Sequence, residues 1–283
     1  PQLLRRFQQG QLPARFDPAL GVAPTETEWA GFTEAERATV VDTLPIYVEH
    51  DFMREGDRLS RVVFALSDML EGYWERGGGG GRSVYISRSL MTYYPGLAGF
   101  APDLLVVFDA PNHPRDSWVV SVEGKGLDFA FEVINRGSRR KDLVRNVALY
   151  ASVGIPEYFV FDISKRQIHA FRLAPGSRTY SPVLAQYGRY RSAILGLDFG
   201  VEGKSLRLFH AGSPVLLARE FRAQLHATIA DQAEALAAET QRADAEAEHA
   251  AQQAERADAA ERELAELRRL LEAQRRPESP TSS

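Results

Sequence analysis

The chain has 283 residues, of which 44% are hydrophobic and 25% charged, and its formal net charge is −4. This composition excludes wholesale disorder and collagen-like structure, and no apolar run approaches the roughly 18 residues that a membrane span needs. The absence of cysteine excludes disulfides and thiolate metal sites. Since no secretory signal is recognisable either, we expect a cytoplasmic protein.

The charges are divided unevenly along the chain. From Arg219 onward there are 14 acidic and 9 basic residues, whereas the first 218 residues carry 24 acidic and 25 basic residues. The net acidity therefore belongs to the C-terminal part and does not argue against a nucleic-acid partner for the rest. Only four of the basic residues are lysines: Lys125, Lys141, Lys165 and Lys204.

The first 75 residues change from irregular to helical. Weak periodicity and several prolines predict an irregular segment over residues 1–45, with a short helix over 33–43 because Thr33 and Glu36 form a capping-box pattern. From Asp57, apolar residues recur at spacings of three and four and predict a helix with one buried face. Five glycines, 77–81, follow this helix, and without a lysine they favour a connector over a phosphate-binding loop.

Residues 46–215 contain the predicted sheet. Short runs rich in β-branched and aromatic residues predict strands over 84–86, 104–108, 118–122, 129–134, 157–162 and 167–173. A helix is predicted over residues 138–153, with Gly154 as its C-cap. Strands mixed with long helices predict a mixed α/β fold, with a mixed central sheet flanked by helices.

The C-terminal part is rich in alanine, glutamate and arginine over residues 216–276. Apolar residues recur there every seven positions, as expected for a coiled coil: Ile229, Leu236, Ala243, Ala250, Ala257, Leu264 and Leu271. Because alanine buries little surface, a long solvated helix that pairs weakly is as good an interpretation as a stable coiled coil. A homo-oligomer formed through this helix is possible, and residues 277–283 are predicted to be disordered.

Two acids stand out in the predicted sheet. Asp103 opens one strand, and Glu132 lies inside another with apolar neighbours on both sides. An ionised carboxylate in such a strand is costly unless it is paired or binds a metal. Convergence of the two acids would suit Mg²⁺, or Mn²⁺ in its place. Alternatively, Asp103 is a turn residue, and Glu132 faces solvent on an edge strand.

A basic cluster follows Glu132 at the start of the predicted helix. Its members are Arg136, Arg139, Arg140, Lys141 and Arg145. Such a cluster is ordinarily a solvated helix start. Positive charge is disfavoured at a helix N-terminus unless an anion binds there, and cations that follow Glu132 could contact the phosphates of a nucleic acid. Both interpretations remain open on the sequence.

The order of these features resembles the PD-(D/E)XK nuclease superfamily and, more narrowly, its Uma-two restriction-endonuclease family. The resemblance is carried by Pro102-Asp103, by Glu132 in a Glu-Val-Ile run, by the segment 139–150, and by the run 154–162 (Gly-Ile-Pro-Glu-Tyr-Phe-Val-Phe-Asp). It extends over about residues 45–200. It implies a nuclease in which Asp103 and Glu132 bind one or two Mg²⁺ ions and a bound water attacks the scissile phosphate of DNA.

The chain departs from that pattern in its catalytic lysine. The superfamily places a lysine two residues after the glutamate, where this chain has Ile134. Family members without it present a lysine from the following helix, at the position of Asn146. Lys141 is the best replacement in the sequence, Arg145 is a third option, and Lys125 is a poorer candidate.

Two functions follow from these residues. The first is a Mg²⁺-dependent endonuclease with Asp103, Glu132, Lys141 and Asn146 at the catalytic site and the basic cluster on DNA phosphates. The second is a catalytically lapsed nuclease fold that serves as a nucleic-acid-binding or assembly module. A cation close to the two acids would favour the enzyme, and an apolar slot would favour the binding module.

Overall fold

The computed structural model describes residues 21–46, 56–135 and 139–274 of the chain. It consists of two compact units, which meet in sequence after Arg219. The helical elements are α1 (Glu26–Gly31), α2 (Glu34–Thr43), α3 (Asp57–Glu75), α4 (Val120–Glu123), a π-helical turn (Lys141–Arg145), α5 (Asn146–Ser152) and α6 (Ala218–Gln274). The strands are β1 (Val84–Arg88), β2 (Met91–Tyr93), β3 (Leu104–Phe108), β4 (Ser117–Val119), β5 (Phe129–Ile134), β6 (Glu157–Asp162), β7 (Gln167–Leu173), β8 (Tyr180–Pro182), β9 (Tyr190–Arg191), β10 (Asp198–Glu202), β11 (Ser205–His210) and β12 (Ser213–Pro214).

A six-stranded sheet with the order β1-β3-β5-β6-β7-β8 forms the centre of the first unit. Its strands β5 and β6 are parallel, and the other neighbours are antiparallel. Parallel neighbours need a crossover connection, which the helix after β5 provides. Both β5 and β6 are buried along their whole length. The mixed α/β sheet predicted from the sequence is therefore confirmed.

Different elements cover the two faces of this sheet. On one face, α3 and the four-stranded sheet β12-β11-β10-β9 join a core that includes Phe131, Val133 and Phe199. On the other face, Tyr150 of α5 packs in a second core with Leu105 and other residues. Because successive strand residues point to opposite faces, Glu132 lies on the face covered by α5.

The described part of the N-terminal segment is more regular than the irregular structure predicted for residues 1–45. It contains the expected helix α2 and an additional helix, α1. Each begins at a threonine, Thr25 or Thr33, whose side chain completes a capping box with a glutamate three residues on. These caps satisfy backbone N–H groups that would otherwise lack partners, which explains why short helices form here.

The strand predicted over residues 118–122 is wrong in its second half. The strand β4 ends at Val119, and the chain turns into the one-turn helix α4, which ends at Gly124 with φ of 68°. An ion pair at 2.7 Å between Arg115 and Glu123 fixes this turn, and the Arg115 side chain is only 4% exposed. The glycine C-cap and the ion pair outweigh the strand preference of the β-branched residues in this segment. The short strands β2 and β8 to β12 were not predicted either.

The C-terminal unit is the long helix α6, without glycine or proline between Ala218 and Gln274. Side chains from Phe221 to Leu271 are exposed. The predicted helical tail is thus present, and its coiled-coil pairing stays a prediction. Among the helices in the described ranges, none is both long enough and apolar enough to cross a bilayer.

Glu157, at the start of β6, connects the central sheet to the loop before β10. It is fully buried and accepts hydrogen bonds from the Arg172 guanidinium at 2.7 Å, the Ser192 hydroxyl and the Ala193 N–H at 2.9 Å. We expect Glu157→Ala to lower the free energy of unfolding by about 3–5 kcal/mol, because it leaves buried donors without a partner.

Chemical denaturation of the purified chain measures this loss. Arg61→Ala is the control, since it removes a solvent-exposed ion pair with Asp57 and should cost less than about 1 kcal/mol. Equal stability of the two variants would contradict a structural role for Glu157.

Candidate active site

Asp103 and Glu132 come together through the pairing of β3 with β5. The register pairs Leu104 with Phe131, so the preceding residue, Asp103, lies beside Glu132. The Val133 N–H donates a hydrogen bond to Asp103 Oδ2 at 2.6 Å. The sheet therefore places the two predicted acids side by side.

The helix α5 holds the Glu132 carboxylate. This side chain is 1% exposed, and its Oε1 accepts hydrogen bonds from the Tyr150 hydroxyl at 2.8 Å and from the Asn146 amide at 3.1 Å. Asn146 and Tyr150 are four residues apart and therefore lie on one face of the helix. Two neutral donors on one oxygen fix the orientation of the carboxylate.

Burial raises the pKa of both acids. Loss of solvation raises the pKa of Asp103 to about 6, although the hydrogen bond from Val133 opposes the rise. Loss of solvation and then repulsion by Asp103 raise the pKa of Glu132 well above its ordinary range. Two ionised carboxylates are thus costly here, and the pair favours either a shared proton or a cation.

Lys141 is a cation close to this pair. Its positive charge lowers the pKa of Asp103 and of Glu132, against the effect of burial. It begins the π-helical turn, and its backbone carbonyl accepts a hydrogen bond from the Asn146 N–H. Sequence reasoning placed Lys141 among the candidates, and the structure brings it to the acids.

Asp142 is a residue of the site that the sequence did not identify as a candidate. It is 1% exposed, and its Oδ1 accepts a hydrogen bond from the Asn146 amide at 3.4 Å. Its charge raises the pKa of both Asp103 and Glu132. Its spacing of four from Asn146 and eight from Tyr150 could have identified it as a neighbour of both.

The π-helical turn over residues Lys141–Arg145 is a local departure from regular helix geometry at this site. Such wide turns are frequent where side chains serve a function. It contains Lys141 and Asp142 and leads directly into α5, whose residues Asn146 and Tyr150 contact Glu132. The charged and neutral partners of the acids therefore come from one continuous helical segment.

Lys125 lies away from the pair formed by Asp103 and Glu132. Its ammonium donates to the Phe108 carbonyl at 2.7 Å and pairs with Asp128 at 2.8 Å. Phe108 is five residues from Asp103 along β3, about 17 Å at the usual rise per residue. This lysine secures the opposite end of the strand and not the acid pair.

The basic cluster is only partly available to a ligand. Arg139 forms an ion pair with the buried carboxylate of Asp162 in β6. Arg140 and Arg145 are exposed near the start of the helix. Arg136 lies outside the described residues.

The chemistry of the acid pair fits a divalent cation. Within the described part of the chain, no group of three or more histidine, aspartate or glutamate side chains is arranged to hold a metal ion. Magnesium, however, is commonly bound through one or two carboxylates, with waters and substrate phosphates as the other ligands. Two neighbouring carboxylates, which offer oxygen atoms as ligands, match that donor set.

No curated protein has a sequence that matches this chain. One similar solved structure is that of "a putative nuclease belonging to DUF820" from Anabaena variabilis, with 9% sequence identity and a TM-score of 0.39. The match covers 50% of this chain and 75% of that one.

The sequence model of the Uma2 family, described as "Putative restriction endonuclease", matches residues 52–202. The match spans more than half of the chain and includes both acids, the π-helical turn and α5. It confirms the resemblance found in the sequence. This chain belongs to the Uma2 restriction-endonuclease family.

Proposed function

We propose that this chain is an endonuclease that hydrolyses phosphodiester bonds in DNA with the help of Mg²⁺ or Mn²⁺. The observation that carries the proposal is the side-by-side placement of Asp103 and the buried Glu132 through the pairing of β3 with β5, in a family of restriction endonucleases. These two carboxylates would hold the cation. A bound divalent cation supplies Lewis acidity, which offsets charge on the scissile phosphate and eases proton loss from the attacking water.

The other residues have supporting roles in this proposal. The Tyr150 hydroxyl and the Asn146 amide keep Glu132 Oε1 in place. Burial keeps the pKa of Tyr150 well above its ordinary value, so its hydroxyl remains a neutral donor. Lys141 would orient the attacking water or offset charge on the phosphate, the task for which the superfamily uses a lysine two residues after the glutamate.

The DNA would be held mainly through its phosphate backbone. Arg140 and Arg145 are exposed, follow Glu132 in sequence by 8 and 13 residues, and could contact DNA phosphates. The first 218 residues are close to neutral, so binding should be local and sensitive to salt.

A second candidate function is a nucleic-acid-binding or assembly module that has lost catalysis. The observation that favours it is Asn146, which stands where related chains present a lysine. Its amide is buried and bonded to both Glu132 and Asp142, so that position carries no positive charge. The two functions differ in whether Lys141 is sufficient as the cation of the site.

Glu132→Gln tests the role of the acid pair. The variant keeps the shape of the side chain but loses its charge, so Mg²⁺-dependent nicking of plasmid DNA should fall at least about a hundredfold. Circular dichroism should show an intact fold. Glu202→Gln, at an exposed acid of β10, is the matched control and should retain full activity. Unchanged nicking by the Glu132 variant would refute the site.

Lys141→Ala and Asn146→Lys distinguish the enzyme from the lapsed nuclease. If Lys141 is the working cation, its removal should lower the nicking rate about tenfold or more, while Lys204→Ala, at an exposed lysine, should have no effect. Asn146→Lys places an ammonium next to Glu132 and should raise the rate about tenfold. A wild type without activity that gains it through Asn146→Lys would establish the binding module instead.

The raised pKa of Asp103 predicts a pH-dependent stability in EDTA. The pKa of Asp103 is about 6 in the folded chain and 3.8 in the unfolded chain. The stability that this group contributes is therefore fully present below about pH 4 and is lost as the pH rises through 6. Asp103→Asn should therefore raise Tm at pH 8 by about 5 °C and have little effect at pH 4.

Thermal melts with and without Mg²⁺ complete that measurement. Mg²⁺ at pH 8 should raise Tm of the wild type but not of Asp103→Asn. The control is Asp109→Asn, at the other end of β3, where Arg82 lowers the pKa of the acid and no gain at pH 8 is expected. A lower Tm of Asp103→Asn at pH 8 would contradict the assignment.

A further inference from the structure

The C-terminal end of α6 carries a narrow apolar seam. Leu264, Leu267 and Leu271 are each more than half exposed, and their spacings of three and four place them on one side of the helix. Ala257 and Ala260 continue the same pattern toward the N-terminus. In heptad terms, 257, 264 and 271 are a positions, and 260 and 267 are d positions.

The charged residues beside this seam are complementary for a parallel pair. In a parallel coiled coil, each g residue faces the e residue five positions later in the partner helix. Here Arg256 at g would face Glu261 of a second copy, and Glu263 would face Arg268. Both pairs have opposite charges, and symmetry forms each of them twice.

We propose that α6 pairs in parallel with α6 of a second copy of this chain through residues 253–271. A parallel arrangement places each of the three leucines opposite its own copy. An antiparallel arrangement that pairs Leu264 with Leu267 would place Leu271 opposite Ala260, and it would leave Glu263 facing Leu270. The parallel pair therefore buries more apolar surface and forms more ion pairs.

The same heptad register explains why the pairing ends near residue 253. The preceding d positions are Gln253, Glu246 and Glu239, so carboxylates would face each other across a continued pair. Like charges in that position are destabilising. The apolar residues near the start of α6, such as Ile229 and Leu236, are thereby separated from the leucine seam. This proposal does not depend on catalysis by the first unit.

Sedimentation equilibrium of the full chain tests the pairing, and a dimer is expected. Glu261→Arg should weaken dimerisation by about tenfold, because Arg256 of the partner would then face an arginine. The double variant Arg256→Glu/Glu261→Arg reverses the pair and should restore dimerisation. Glu266→Arg makes the same charge change at a c position, away from the seam, and is the control.

A cysteine placed in the seam tests the orientation, since the chain has none of its own. In a parallel pair Ala260 faces its own copy, so Ala260→Cys should form an intermolecular disulfide under mild oxidation, whereas Arg262→Cys on the outer face should not. A monomer, a larger oligomer, equal effects of the charge variants, or a dimer without the Ala260→Cys cross-link would each overturn the proposal.

Discussion

The pairing of a partly buried carboxylate with a fully buried one is the constraint around which the first unit is arranged. Asp103 repels Glu132, whose burial limits screening by water. The backbone N–H of Val133, the hydroxyl of Tyr150 and the nearby charge of Lys141 reduce this repulsion but leave the pKa of both acids raised. The fold thus keeps an unfavourable pair that a bound cation would relieve, which is how a site gives up stability for function.

Two glutamates in neighbouring strands differ in how their surroundings balance their charge. Both Glu132 and Glu157 are buried in strands with apolar neighbours. Glu157 pairs with Arg172 and accepts from the Ser192 hydroxyl and backbone N–H groups, so its charge is balanced by a network that joins two sheets. Glu132 has another acid as its neighbour and two neutral donors. Only the surroundings of Glu132 call for an additional positive charge.

The position of each side chain along the helical segment after β5 decides whether it reaches the acid pair. A regular helix would present Asn146 and Tyr150 on one face, as α5 does. The wider turn before it adds Lys141 and Asp142, so the positive charge that position 146 lacks comes from one turn earlier. Because these side chains stand on helical elements that pack against the sheet, their positions relative to Glu132 are well defined.

Continuous apolar runs determined β3, β5, β6 and β7 from sequence alone, because buried central strands tolerate few polar residues. The order of acids, glycine and tyrosine also determined the family. Only the tertiary structure decided that Asp103 lies beside Glu132, that Lys125 binds the far end of β3, and that Asp142 joins the site. Those facts depend on strand register and on a crossover helix, which join residues about thirty positions apart through contacts that no local pattern encodes.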